Sequence, residues 1–212
     1  MNKTVELVTA WGEFEENHPN SEIEDFCLYY LSAKRKKENS RELFNGLVTP
    51  TPRATLSKLL GWITRLGNEY AQKALADVEI SHYDDFLMLN AVSALKEPKK
   101  TEAIYFNFIE LSTGLNLLAS LKSQGYIIEY DDPHDKRSKR VKLTDKGRQA
   151  LNECYIQLRK VAALLFNDLT GEDIELCILL LKNIEIKFSS LWPRHKCLSF
   201  DEAYKEICGE EK

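Results

Sequence analysis

Residues 125–147 read GYIIEYDDPHDKRSKRVKLTDKG, and this stretch decides the fold. Gly125 is a helix stop signal. Past it the apolar pattern turns strand-like. Tyr126 to Tyr130 is rich in aromatic and β-branched residues, and Arg140-Val141-Lys142-Leu143 alternates polar with apolar. The polar run Asp131 to Ser138 between them reads as a hairpin tip, since Asp, Pro and Ser favour turns. Thr144 is placed to cap a following helix.

Upstream of the hairpin the apolar period is helical. Two short helices are expected at about 101–108 and 111–122. Before them, Ser81 with Asp84 caps a helix carrying Phe86, Leu87, Ala91, Ala94 and Leu95, which Pro98 stops. Three short helices and a hairpin outline a winged helix-turn-helix.

Long amphipathic helices flank this unit. Thr51 with Pro52 at the first helical position opens one, striped by Leu56, Leu59, Leu60, Ile63, Leu66, Tyr70 and Ala74. Downstream, Thr144 opens a helix with the stripe Leu151, Cys154, Tyr155, Leu158, Val161, Ala162 and Leu165. Thr170 with Asp173 opens another, striped by Ile174, Cys177, Ile178, Leu181, Ile184, Phe188 and Leu191 and ended by Pro193. Near the start, Ser21 and Glu24 form a capping box before Ile23, Phe26, Cys27, Tyr30 and Leu31, and that helix ends in the basic run Lys34 to Lys37.

The expected fold is mainly α: a winged helix-turn-helix with a two-stranded β wing and long dimerisation helices. Its parts are an N-terminal helical extension (1–50), a dimerisation helix (51–80), the winged helix-turn-helix (81–148), C-terminal dimerisation helices (149–192) and a tail (193–212). The flanking helices have wide apolar faces and few partners in so small a domain, so a two-fold homodimer is the simplest way to bury them. The extension's helix would find its host on those long helices.

Composition narrows the function. Over 212 residues, 29 basic and 33 acidic side chains leave a net charge of −4, with 43% hydrophobic residues, the profile of a globular protein with a sizeable core. Nine Gly and six Pro are too few for a disordered or turn-rich all-β chain. Apolar runs such as Leu176 to Leu181 fall far short of the roughly 20 residues a membrane span needs. The acidic first twenty residues do not resemble a secretion signal, so a cytoplasmic protein with no membrane association is expected.

The five cysteines are widely spaced with no C-x-x-C pair, which points to neither a disulfide framework nor a zinc module. Burial as small hydrophobes is their expected state, with Cys27 beside Tyr29 and Tyr30 the alternative of a redox-sensing thiol. Asp131, Asp132, His134 and Asp135 would make a poor metal cluster among so many cations. No nucleophile elbow or phosphate-binding glycine loop occurs, so no enzyme, catalytic residue, metal or cofactor is expected.

The chemistry concentrates at the hairpin. Lys136, Arg137, Lys139, Arg140, Lys142, Lys146 and Arg148 face only Asp135 and Asp145 within an acidic protein. A basic tip suits phosphates, because each one neutralised releases counterions. A narrow tip with Arg also suits the minor groove, where negative potential is concentrated. A solvated charged loop is the plainer alternative.

The order of residues goes further. Asp132-Pro133-His134-Asp135-Lys136-Arg137, then Leu143-Thr144 and Gly147, resembles the wing signature of the multiple antibiotic resistance regulator (MarR) family. Leu121-Lys122-Ser123-Gln124-Gly125-Tyr126-Ile127 resembles that family's exit from the recognition helix. The likeness covers about residues 54 to 191. It implies a homodimeric transcriptional regulator of double-stranded DNA reading a palindromic operator. Arg137 would then be the wing contact to DNA, Asp135 the residue holding the wing, and Lys136, Lys139 and Arg140 backbone contacts.

The helix at about 111–122 would lie in the major groove. Turning Leu111, Leu115, Leu118 and Leu121 inward leaves Ser112, Thr113, Asn116, Leu117 and Ser120 facing the groove. No Lys or Arg occurs between Thr101 and Leu121, so this helix cannot make the common contact to guanine. Gly114 within it costs about 1 kcal/mol relative to Ala. Trp62, Tyr70 and Tyr83 are candidates to line a pocket for a small aromatic effector, or else ordinary core aromatics. Lys34 to Lys37 with Arg41 would offer a second phosphate contact or simply a solvated helix end. The competing reading of the whole is a winged-helix protein-interaction module that has lost DNA binding.

Overall fold

In the computed structural model the described residues are 2–38, 43–80 and 82–209, less the side chains of 34–38 and 136. Ser81, Arg41 and the side chains of Lys34 to Lys37 and Lys136 therefore lie outside the described part. The chain divides into two compact units, residues 1–59 and 60–212.

The first unit opens with two helices, α1 (Lys3–Asn17) and α2 (Ile23–Glu38). The α1 helix was not expected from the apolar pattern. It is capped by the Asn2 side chain, which accepts from the Thr4 N–H at 3.0 Å. The Ser21 box is replaced one residue later: α2 starts at Ile23, and the Glu22 N–H donates to the Asp25 carboxylate at 3.0 Å. Phe26 is buried against α1, with ring centroids 5.0 Å from Trp11 and 5.6 Å from Phe14. The extension's helix thus has a host within its own unit, whereas Ile23 remains exposed.

Helix α3 (Pro52–Leu75) begins as expected, with the Thr51 hydroxyl accepting from the Ala54 N–H at 3.1 Å. It continues into the second unit, which holds α4 (Tyr83–Ala94), α5 (Lys100–Phe106), α6 (Leu111–Ser123), the antiparallel pair β1 (Ile127–Asp132) and β2 (Asp135–Leu143), α7 (Asp145–Leu165), α8 (Gly171–His195) and α9 (Phe200–Cys208). The core lies where α4, α5, α6, the hairpin and the first turns of α7 meet. Met88, Leu89, Ile104, Leu118, Leu121 and Val141 are fully buried there. Just before α5 the chain touches the hairpin edge: Lys99 forms an isolated bridge with Arg140, and the Val141 N–H donates to the Pro98 carbonyl at 3.0 Å.

Two glycines allow the close approaches this core needs. A Cβ at Gly114 would lie 2.5 Å from the Ile104 side chain, so the residue that weakens α6 locally lets it sit against α5. A Cβ at Gly147 would overlap the Tyr126 carbonyl, which also accepts the Thr144 N–H at 3.0 Å. The Thr144 hydroxyl donates to the Gly125 carbonyl at 2.7 Å and accepts from the Gly147 N–H at 3.0 Å. The Leu-Thr-x-x-Gly pattern is thus a clasp between the root of the hairpin and the start of α7.

Several expectations need correction. The hairpin tip is only Pro133-His134, because carboxylates order Asp131, Asp132 and residues 135–138 into the strands. Helix α8 passes through Pro193 and ends at His195. The tail folds as α9, started by a reciprocal Ser199–Glu202 capping box. Only Cys154 is buried, and burial pushes its thiol up to about 11, whereas Cys27, Cys177, Cys197 and Cys208 are exposed.

Helix α8 contains no buried residue, and Ile178, Leu179, Leu180, Ile184 and Ile186 are more than half exposed. Among the described residues no helix is long and apolar enough to cross a membrane.

Candidate nucleic-acid interface

The hairpin is organised around two carboxylates. Asp132, 1% exposed, accepts from the His134 N–H at 2.9 Å and from Arg140 Nε at 2.9 Å, with Lys99 Nζ at 3.8 Å. Those contacts, the backbone N–H of His134 first, hold its carboxyl below the ordinary range. Asp135 accepts from the Ser138 hydroxyl at 2.6 Å and the Arg137 N–H at 3.1 Å, and it too is held low. Lys99 Nζ lies 3.6 Å from Asp135, so one ammonium from the start of α5 serves both carboxylates. Asp135 thus lies where a wing-holding residue would, but Asp132 is the more buried of the two, and the sequence named it only within the signature and the poor metal cluster, not as a wing-holding residue. The Asp-Pro turn in front of a donor-rich strand is the signal that marks it.

These bonds occupy most of the wing's cations. Arg140 also donates through Nη1 to the Glu97 carbonyl at 2.8 Å. Lys139 pairs with Asp131, which raises the Lys139 pKa. Lys142 Nζ is 3.9 Å from Glu97 and 5.4 Å from the Tyr130 ring centre, and Lys146 Nζ sits 4.4 Å over the Tyr126 ring. Arg137 is exposed on β2 and makes no ion pair with any described residue.

Helix α6 presents a different surface. Its buried positions are Gly114, Leu118 and Leu121, with Leu117 half-buried against the core. Leu111 and Leu115 are 38% and 37% exposed, so the expected inward row of Leu111, Leu115, Leu118 and Leu121 is rotated, and Leu117 belongs inside. The outward face carries Ser112, Thr113, Leu115, Asn116, Ala119 and Ser120. The one cation of the helix, Lys122, is bound 2.8 Å from Glu129, which Lys100 also reaches at 2.8 Å. Lys100 and Lys122 together hold Glu129 below the ordinary carboxylate range.

The other expected sites do not gather. Trp62 borders an open concavity of about 340 Å³ with Arg65, Leu66 and Glu69. Tyr70 is exposed on α3, and Tyr83 stacks on Phe86 with centroids 5.7 Å apart. Among the described residues no group of three His, Cys, Asp or Glu side chains is arranged to hold a metal ion.

Residues 82–147 match a family model described as a winged helix DNA-binding domain. No curated protein matches the sequence. Among solved structures, a mutant MarR from E. coli complexed with operator DNA superposes with a TM-score of 0.57 at 21% identity, covering 68% of this chain and 99% of that one. The transcriptional regulator BldR from Sulfolobus solfataricus gives 0.59 at 22% identity, covering 66% and 99%. BpsR from Bordetella bronchiseptica, whose DNA binding is regulated by 6-hydroxynicotinic acid, gives 0.56 at 19% identity, covering 62% and 98%. Residues 82–147 are therefore similar to winged helix DNA-binding domains, and the chain has the fold of the MarR regulators.

Proposed function

We propose that this protein is a DNA-binding transcriptional regulator that acts as a homodimer on a palindromic operator. The observation that carries the reading is Arg137, a guanidinium free of described ion pairs on a hairpin where Lys139, Arg140 and Lys142 are each held by a carboxylate. A hairpin that presents such an Arg suits the minor groove. Lys136, Lys139 and Arg140 stand beside it as contacts to the phosphate backbone, Lys139 and Arg140 only by sharing themselves with Asp131 and Asp132. Helix α6 enters the major groove through Ser112, Thr113, Asn116 and Ser120.

The second copy is argued from α8. Each large apolar side chain fully buried stabilises by about 1.5–3 kcal/mol, so its exposed row favours association strongly. Sedimentation should give twice the 24.4 kDa of one chain. A small aromatic effector, in this reading, would meet Trp62 and Arg65 rather than the full set of Trp62, Tyr70 and Tyr83, and would quench tryptophan fluorescence.

The test is anisotropy of labelled duplexes at several salt concentrations. The logarithm of affinity should fall linearly with that of salt, with a slope of about 0.9 per phosphate. Arg137→Ala should weaken binding and lower that slope by about one. Absence of binding to any duplex at low salt would end the regulator reading. The interaction-module alternative draws on the exposed Phe106, Phe108 and Leu111 beside an α6 whose only lysine is already paired. It predicts a partner protein whose binding is insensitive to salt.

A further inference from the structure

We infer that α6 selects A·T base pairs, with Leu115 and Ala119 seated on thymine methyl groups and Asn116 paired to adenine. The inference rests on the DNA-binding reading above and names what that surface recognises. With Gly114, Leu117, Leu118 and Leu121 turned to the core, the opposite side of the helix is a narrow strip centred on Ser112, Asn116 and Ala119, with Leu115 on its flank.

Each group on that strip has a base edge that suits it. Guanine offers two acceptors to the major groove and is read by Arg or Lys, and the strip has neither. Lys122, the helix's single cation, is held by Glu129. Adenine offers an acceptor beside a donor, which an amide such as Asn116 matches in both directions. Thymine offers a methyl group, and only apolar surface is complementary to it. Leu115, 37% exposed on a helix that has already filled its core positions, and the exposed Ala119 one turn further on supply that surface. Glu110, preceding the helix, repels the phosphate that a helix N-terminus otherwise attracts, so base edges rather than backbone govern how α6 sits.

The probe is the thymine methyl itself. Uracil in place of thymine removes one methyl from the major groove and leaves base pairing and the minor groove unchanged, so the wing does not sense it. The full-length protein is first used to select sites from a randomised duplex pool, and thymines in the selected half-site are then replaced one at a time by deoxyuridine. The expected result is A·T pairs at the half-site positions facing α6 and a loss of about fourfold in affinity at one or two thymines, the effect of one buried methyl. Leu115→Ala should lose affinity for the thymine site and abolish the uracil effect at one of the sensitive thymines. Arg137→Ala should bind more weakly yet keep the full uracil effect. Duplexes that bind with G·C at those positions, or with no uracil sensitivity, overturn this inference and leave the regulator reading standing. Failure to bind any duplex at low salt overturns that reading and this inference with it.

Discussion

The wing and the recognition helix are neighbours in one domain, yet they solve opposite problems. The wing carries many charges and uses several of them internally: Lys99, Lys139, Arg140 and Lys142 are all tied to carboxylates, while Arg137 makes no ion pair among the described residues. Helix α6 carries one charge, spends it on Glu129, and exposes amide, hydroxyl and apolar groups. Counting charges would rank the two surfaces by their formal totals, but paired cations contribute little to a distant phosphate. In the proposed DNA-binding reading the difference separates two tasks, with attraction to nucleic acid assigned to the wing tip and discrimination among bases to α6.

The harshest way to break the comparison is to remove what both regions share. Leu121 is fully buried between α6 and the hairpin. Leu121→Ala should cost about 2–5 kcal/mol in a denaturant melt, with wing and helix failing together. Gly147→Ala comes next: its Cβ enters the Tyr126 carbonyl at the hairpin root, and the strain should cost about 1–3 kcal/mol. A variant as stable as the parent would show that the Thr144–Gly147 clasp has room to shift.

Finer cuts separate the two surfaces. Arg137→Ala should leave the melt unchanged and reduce affinity about tenfold, as a lost charged hydrogen bond of roughly 1.5 kcal/mol would. The loss should be largest where the minor groove is narrow and should not depend on the base edges that α6 faces.

Acid should act on the wing alone. Asp132 and Asp135 have depressed folded pKa values, so their contribution is complete above the ordinary carboxylate value of about 3.9 and is lost as pH falls through the lower folded values. The protection of the His134 and Arg137 amides, taken relative to the unfolded exchange rate at each pH, should therefore hold down to the ordinary carboxylate value of about 3.9 and fall below it. The smallest effect belongs to Lys122→Ala. A half-exposed ion pair contributes less than about 1 kcal/mol, and a lysine already held by Glu129 has little to lose at a phosphate.

The hairpin was legible in sequence because period, turn residues and the Thr144 cap all agree within about twenty positions. Its tip was less so. Asp131 and residues 135–138 look like loop until their partners are known: Asp131 pairs with Lys139 across the hairpin, and Asp135 meets Lys99, more than thirty residues upstream. The rotation of α6 was hidden by its leucines. Positions 111, 115, 118 and 121 make as good a stripe as 114, 117, 118 and 121, and the deciding member, Gly114, has no side chain to announce it. Helix α9 was masked by Pro193, which α8 accommodates near its end, although Ser199 and Glu202 spell out the next start. Nor does any local pattern mark the exposed row on α8, since an amphipathic stripe reads the same whether its cover is the same chain or another.

Lys99 bridges Arg140 across the sheet while its ammonium serves Asp132 and Asp135, and one residue on, Lys100 shares Glu129 with Lys122 of α6. The beginning of α5 is in this way riveted to the wing on one side and to the recognition helix on the other. Two probes joined so firmly act as the jaws of a calliper. If the protein meets DNA in both grooves at once, as proposed, the gap between the jaws is a length standard, and a duplex of unusual twist is a misfit even when every base it offers is correct.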